Sequence, residues 1–245
     1  MKKNLFGLTV EELGEALSPL QVPAFRAKQI AAWLYQRGAG SFAEMTNLPK
    51  QLRAALDEKF TISTVRQKAA LHSADGKTSK FLLEFADGTA VESVLMRQPY
   101  GNSICISTQA GCNMGCAFCA STLHGMARDL AAGEMLAQVL FIERFLGQEN
   151  GKVDTMVLMG SGEPLMNYDQ VLSFLHFVHA PYVLGMSYRS ITLSTSGIVP
   201  RIYALAEEGI PISLSISLHA PEDALRSRLM PINRKYPLAE VVAAG

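Results

Sequence analysis

The sequence has no apolar run approaching the roughly 20 residues that a membrane-spanning helix needs. It also has no secretory signal core, because Glu11 and Glu12 interrupt the stretch that follows Lys2 and Lys3. It lacks an excess of either charge: 22 basic residues stand against 22 acidic ones. Overall charge therefore gives no argument for a strongly basic nucleic-acid binder, although a local basic face fits within a balanced total. Charged residues are few, at 18%, while 49% are apolar, which excludes a disordered or collagen-like chain. Cysteine is scarce as well, four in 245 residues, and a chain of this length buries a sizeable core without disulfide staples. The expectation is a folded chain of the cytoplasm, with one large domain or one large domain and a smaller companion.

The few cysteines are clustered. Cys112, Cys116 and Cys119 stand in CNMGCAFC, and Cys105 lies one short segment upstream. In a reducing compartment such clustering points to metal or redox chemistry before structural disulfides. A structural zinc site wants four ligands, commonly as two separated pairs, and here there is no second pair and no spaced pair of histidines. Three thiolates on one loop suit an iron–sulfur cluster of four irons, with one iron left open to a small molecule. The competing reading is a zinc knuckle completed by Cys105 or His124. Phe118, just before the last cysteine, favours the iron–sulfur pattern.

The first sixty residues read as short helices. Thr9 to Glu12 is a capping box opening a segment to Leu17, and Ser41 to Glu44 repeats that signal. Ala24 to Arg37 places Phe25, Ile30, Trp33 and Leu34 toward one side, and Pro49 to Phe60 is a further amphipathic helix. Such faces serve first as the core of a small helical domain; contact with RNA is a second use. Near Ser63 the pattern turns to strands. Ser79 to Ala86 and Thr89 to Arg97 flank Asp87-Gly88, a two-residue hairpin signal, and a strand near Ser63 to Ser73 joins them across Asp75-Gly76.

From there strand and helix alternate. Strands are expected at Ser103 to Ser107, Thr155 to Gly160, Ser190 to Ser196 and Pro211 to His219. Helices are expected at Ala132 to Leu146, Tyr168 to His179 and Val199 to Glu208. Continuous apolar strands separated by helices predict a parallel βαβ arrangement of α/β class, with chemistry at the carboxyl ends of the strands. Three motifs sit at such ends. MGSGEP (159–164) reads either as a tight turn or as a ligand loop in which Glu163 meets an ammonium group. LSTSG (193–197) offers hydroxyls that suit a ribose or a helix cap. SLHA (217–220) ends the fourth strand, where His219 is either structural or a ligand contact.

CxxxCxφC, with φ aromatic, resembles the signature of the radical S-adenosylmethionine (SAM) enzymes. There SAM chelates the open iron, and an electron from the cluster cleaves it to methionine and a 5′-deoxyadenosyl radical. Longer motifs narrow the resemblance: FRAKQIAAWLYQRG…SFAEMTNLPKQLR, VESVLM, CISTQAGCNMGCAFCAS, MGSGEPLMN, ITLSTSGIVPRI, SISLHAP and LMPINRKYPL. In this order they are similar to the RlmN/Cfr-type adenosine methyltransferases of RNA, and closest to the RlmN group. The resemblance implies an N-terminal helical domain over 1–62, a β-hairpin segment over 63–100 and a radical SAM core over 101–245. That core would be a partial (β/α) barrel with the first four of six strands.

It also implies roles. Cys112, Cys116 and Cys119 would ligate a [4Fe–4S] cluster. Gly162, Glu163, Ser194, Ser217, Leu218 and His219 would line the SAM site. Glu92 would be the proton acceptor, and Cys105 the thiol that resolves a covalent protein–RNA adduct, leaving a disulfide. In the family one SAM methylates a C-terminal cysteine, and a second yields the radical that activates this methyl group for addition to an adenine ring carbon. The implied substrates are adenosine 2503 of 23S rRNA and adenosine 37 of tRNAs, methylated at carbon 2; the Cfr branch would methylate carbon 8. A flavodoxin-type donor would supply electrons to a monomeric enzyme. This sequence has no cysteine after Cys119. It is therefore expected to be an N-terminal piece that binds cofactors without transferring methyl groups, with an exposed, aggregation-prone sheet edge. Two further readings stay open: a non-catalytic iron–sulfur or RNA-binding protein, and a radical SAM enzyme acting on small molecules.

Overall fold

In the computed structural model, which describes residues 2–149 and 151–245, the chain opens with a two-residue strand, β1 (Lys3–Asn4). Three helices follow: α1 (Val10–Leu17), α2 (Phe25–Ala31) and α3 (Lys50–Lys59). The chain then returns as β2 (Phe60–Thr61), parallel to β1. Thr9 caps α1 as expected, accepting from the Glu12 N–H at 3.2 Å while the Glu12 carboxylate accepts from the Thr9 N–H at 2.7 Å. The helix expected over Ala24 to Arg37 is divided: α2 passes into a wider π-helical turn over Ala32–Gln36. That turn carries Tyr35 inward, where its hydroxyl donates to the Leu8 carbonyl at 2.6 Å and accepts from the Gly7 N–H at 3.2 Å. The expected capping box at Ser41 does not form. Ser41 donates its hydroxyl to the Glu44 side chain at 2.7 Å, which takes both groups off the backbone and leaves a short 3-10 turn.

Three antiparallel strands come next: β3 (Arg66–His72), β4 (Thr78–Glu84) and β5 (Ala90–Gln98). The β4–β5 loop is wider than the two-residue turn expected. The Phe85 N–H donates to the Thr89 carbonyl at 2.8 Å, so the connection is residues 86–88, with Gly88 at φ +83°. The left-handed backbone there needs glycine only once, at the loop's last position.

β6 (Gly101–Cys105) continues the sheet and leads into a small antiparallel pair, β7 (Gln109–Gly111) with β8 (Met126–Asp129). The rest alternates as α4 (Ala132–Gly147), β9 (Thr155–Leu158), α5 (Tyr168–His179), β10 (Ile191–Thr195), α6 (Val199–Glu207) and β11 (Ser213–Ile216). It closes with α7 (Asp223–Leu229) and α8 (Leu238–Ala244). One seven-stranded sheet runs in the order β11-β10-β9-β6-β5-β4-β3. Its β6, β9, β10 and β11 are parallel neighbours, the four expected strands of a partial α/β barrel, and the hairpin strands extend the same sheet antiparallel. β11 is the edge strand on the parallel side of the sheet and β3 the edge on the antiparallel side, among the described residues.

The core lies between this sheet and α4 and α5. Val91, Ser93 and Leu95 of β5 are buried, and Phe81 of β4 meets Phe141 and Phe145 of α4 edge-on at 5.2 and 5.1 Å. The N-terminal helices join this core: Tyr35 packs against Phe177 of α5 at 5.1 Å. Gly7 approaches α4 so closely that a Cβ on it would lie 2.8 Å from the Gly133 Cα. Among the described residues no helix is long and apolar enough to cross a membrane.

Candidate cofactor and catalytic site

The three clustered cysteines lie on the loop between β7 and β8, at the carboxyl end of the parallel strands. A Cβ on Gly111 (φ +81°) would overlap the Gly125 carbonyl, so glycine lets the two ends of the loop close on each other. The Ala117 N–H donates to the Leu229 carbonyl at 2.8 Å, and the Asn113 side chain accepts from the Met126 N–H at 2.9 Å. The loop is thus fastened at both ends and in the middle.

Cys112, Cys116 and Cys119 open on one cavity of about 290 Å³. Its other walls are the ends of three parallel strands: Gly162 and Glu163 after β9, Ser194 to Ser196 on and after β10, and Ser217 and His219 after β11. Leu218, expected among these, is not in the lining and turns its side chain toward solvent. Its carbonyl serves instead, accepting from the Ala220 N–H at 2.8 Å. His219 adopts a left-handed backbone, φ +57°, and its ring lies 4.5 Å from that of Phe118. A non-glycine residue held there is a strained position of the kind that accompanies binding sites.

Glu163 is 3% exposed and has no cationic partner among the described residues. Its carboxylate accepts from the Leu165 N–H at 3.1 Å and the Ser196 N–H at 2.7 Å, and the Gln109 side chain accepts from its backbone N–H at 2.8 Å. A buried carboxylate that still opens on a cavity has lone pairs left for a ligand ammonium, which would supply the missing counter-charge. The hydroxyl of Ser196, in the same lining, is buried without a partner.

Burial pushes the Cys116 thiol up to about 11, with Cys112, Cys119 and Glu163 adding to the rise. Burial likewise raises Cys112, against the Met114 backbone N–H. Thiols so placed stay protonated until a cation stabilises the thiolate, which is what a bound iron cluster does. Among the described residues no three His, Cys, Asp or Glu side chains converge on a single metal ion. A cluster of four irons asks for something else: each thiolate meets a different iron, so the three sulfurs ring a space instead of one point. The donor set and the cavity fit that group and SAM. They do not fit the zinc knuckle, because Cys105 and His124 lie in a different cavity.

That second cavity, about 840 Å³, holds Glu92, Cys105, Ser121 and His124, and shares Cys119, Met159 and Gly160 with the first. Cys105 and Glu92 are brought together by register: Val94 pairs with Cys105 across β5 and β6, and Glu92 lies two residues along on the same face. Glu92 also forms an ion pair with Lys80 at 2.8 Å. Burial pushes the Cys105 thiol up, the Met159 backbone N–H partly opposing. All four cysteines are free thiols, so the disulfide expected of Cys105 is not a bond of this structure.

Sequence reasoning missed the polar groups that hold the strand ends. Gln138, fully buried in α4, accepts from the Ser93 hydroxyl at 2.8 Å and the Ser107 N–H at 2.9 Å, and donates to the Ser107 carbonyl at 2.9 Å. Arg226, also fully buried, lies between the quoted motifs, and Asn233 stands within LMPINRKYPL without a role read for it. The available signal was a polar residue at a core position of an apolar helix.

Residues 3–62 match the family model of the ribosomal RNA large subunit methyltransferase N-terminal domain, and residues 106–244 match that of the radical SAM superfamily. The chain is 50% identical over 244 residues to a probable dual-specificity RNA methyltransferase RlmN of Symbiobacterium thermophilum, covering 100% of this chain and 66% of that protein. A protein of the same description from Desulforamulus reducens is 50% identical, covering 99% of this chain and 69% of its own length. Among solved structures, a radical SAM methyltransferase from Sphaerobacter thermophilus superposes with a TM-score of 0.93 at 41% identity, covering 99% of this chain and 71% of that one. The chain spans about two thirds of the length of the curated relatives it matches.

Proposed function

The chain belongs to the RlmN group of the radical SAM superfamily, and from that membership we propose that it carries the cofactor-holding part of an RNA methyltransferase. The activity is methylation of carbon 2 of adenosine 2503 in 23S rRNA and of adenosine 37 in tRNAs, in the cytoplasm, with a flavodoxin-type protein as electron donor. One observation carries the reading: the three-thiol cavity adjoins the Cys105–Glu92 cavity through Cys119, Met159 and Gly160. Cofactor and nucleotide chemistry would then meet across one shared wall.

Cys112, Cys116 and Cys119 hold the [4Fe–4S] cluster, Gly162 and Glu163 take the amino end of SAM, and Ser194, Ser217 and His219 take its nucleoside end. When bound, the cluster and SAM supply a carbon radical, which is the chemistry that an unactivated adenine carbon requires. Glu92 would accept the ring proton, and Cys105 would attack the thioether sulfur that links protein to base, the sulfur–carbon bond breaking to release the methylated base as a disulfide forms. The methyl-carrying thiol of that route is not among these residues, since no cysteine follows Cys119. The strands over 63–100 contribute Leu82, Glu92 and Val94 to the second cavity, which supports a place for the nucleotide there, and the helices over 1–62 are the proposed further contact with RNA.

Anaerobic reconstitution tests the reading. Four irons with matching sulfide, and a change in the electron paramagnetic resonance of the reduced cluster on adding SAM, are expected. Zinc without sulfide, or a cluster indifferent to SAM, would remove it. Joining the chain to the C-terminal third of a curated relative and mapping the methylated base separates carbon 2 from carbon 8.

A further inference from the structure

Among the described residues Arg226 is the largest fully buried side chain, and no carboxylate there accepts its hydrogen bonds. Its guanidinium donates to the carbonyls of Ser196 at 2.7 Å, Ser217 at 3.2 Å and Leu218 at 3.2 Å, and to the Asn233 side chain at 2.6 Å. The placement of those carbonyls is specific. The parallel ladder of β10 and β11 ends at Thr195 opposite Ile216, and the Ser217 N–H makes one last bond to the Thr195 carbonyl at 2.9 Å. Ser196, Ser217 and Leu218 are the residues at which the two strands would begin to splay. The planar fork of the guanidinium carries the ladder one step further, which a lysine ammonium cannot do with fixed geometry.

The charge is placed as specifically as the fork. Asp223 reaches Arg226 only through Asn233, whose amide donates to it at 2.8 Å. On the other side, the cysteine loop is tied to the end of the helix that carries Arg226, the Ala117 N–H donating to the Leu229 carbonyl at 2.8 Å. A buried cation with no carboxylate hydrogen-bonded to it does not add stability over a well-packed apolar side chain. Its presence calls for a role in which position and charge matter.

We propose that Arg226 is a positioning residue of the cofactor cavity. It holds the mouths of β10 and β11 at the spacing that SAM needs, and it places a fixed positive charge behind the cysteine loop. The inference rests on the cofactor reading above and deepens it. Arg226 does not line the cavity; it acts through Ser196 and Ser217, which do. Loss of the fork should weaken SAM binding, and loss of the charge should make the cluster harder to reduce, because a nearby cation favours its more negative form.

The test uses the reconstituted chain of 245 residues with Arg226→Gln, Arg226→Lys and Asp223→Asn. Iron content, SAM affinity and the cluster midpoint potential are read on each. Arg226→Gln is expected to keep its irons, lose about ten- to a hundredfold in SAM affinity and shift to a lower potential. Arg226→Lys should lose SAM affinity while holding the potential, and Asp223→Asn, which uncovers the cation, should raise the potential. A role confined to stability would leave affinity and potential of the loaded protein at wild-type values, and that result overturns the inference. If Arg226→Gln takes up no cluster, the other two variants decide, wild-type values in both again overturning it. A wild-type chain without cluster or SAM binding would remove the cofactor reading itself, and this inference with it.

Discussion

The parallel and antiparallel halves of the one sheet use the same backbone for different ends. In β6, β9 and β10 alternate side chains such as Ile104, Met156, Leu158, Ile191 and Leu193 are buried, and past the carboxyl ends glycines let loops approach one another. In β4 and β5 one face is buried against α4, while the other carries charged side chains such as Lys80, Glu84 and Glu92, paired near solvent. Glycines there sit in open turns: a Cβ on Gly76 or Gly88 would meet nothing within 4 Å, whereas one on Gly162 would lie 2.7 Å from the Gln109 backbone nitrogen. The difference teaches where this fold tolerates change. Crowded strand ends are specified by close approach, and the hairpin by turn geometry alone. The two halves meet at Gln138, whose amide joins Ser93 of β5 to Ser107 beyond β6.

Several substitutions would break or sharpen this contrast, beginning with the largest effect. Cys116→Ala should abolish stable cluster uptake, read as iron and sulfide per chain after reconstitution, while leaving the secondary structure of the antiparallel half intact by circular dichroism. Gly162→Ala combines a left-handed backbone with a clash and should destabilise by about 3 kcal/mol in urea unfolding. Gly88→Ala meets only the backbone strain, about 1 kcal/mol. Equal losses at the two glycines would erase the distinction between the halves. Gln138→Leu leaves the Ser107 N–H and carbonyl buried and unpaired, so a loss of about 2–3 kcal/mol is expected in the same assay.

The smallest effect is a pH dependence at the hairpin. The Arg128 guanidinium donates to Asp87 at 2.8 Å and holds its carboxyl below the usual carboxylate range, with the Thr89 N–H and hydroxyl assisting. A depressed value contributes stability above the unfolded carboxylate range, and that contribution is lost as pH falls through the folded value. The Tm difference between wild type and Asp87→Asn should therefore be present at neutral pH and vanish in acid. A difference independent of pH would assign the effect to the loop's hydrogen bonds instead of the ion pair.

Local signals were legible wherever a few adjacent residues carry the information. Thr9 with Glu12 marked a real cap, and Tyr168 to His179 was readable as a helix from its apolar spacing. The same signal failed at Ser41, because its hydroxyl found the Glu44 side chain before the backbone. It failed also at Trp33 to Gln36, where burial of Tyr35 against Phe177 and the Gly7-Leu8 segment widens a turn that α-helical spacing would have continued. Leu218 was implied beside Ser217 and His219 by the family resemblance, yet its side chain is exposed and stands outside the cavity lining.

By itself the sequence determined the alternation of strands and helices, the grouping of Cys112, Cys116 and Cys119 on one loop, and the polar strand ends after β9, β10 and β11. Each of these is a matter of spacing within a dozen residues, which the chain states directly. Only the tertiary structure decided that Glu92 and Cys105 share a cavity wall with Cys119, and that Gln138 and Arg226 would be buried as ties between strands. Those outcomes depend on which strands become neighbours and in what register. A buried polar side chain in turn finds its partners on segments far away in sequence, Ser93 for Gln138 and Ser196 for Arg226, where no local pattern records them.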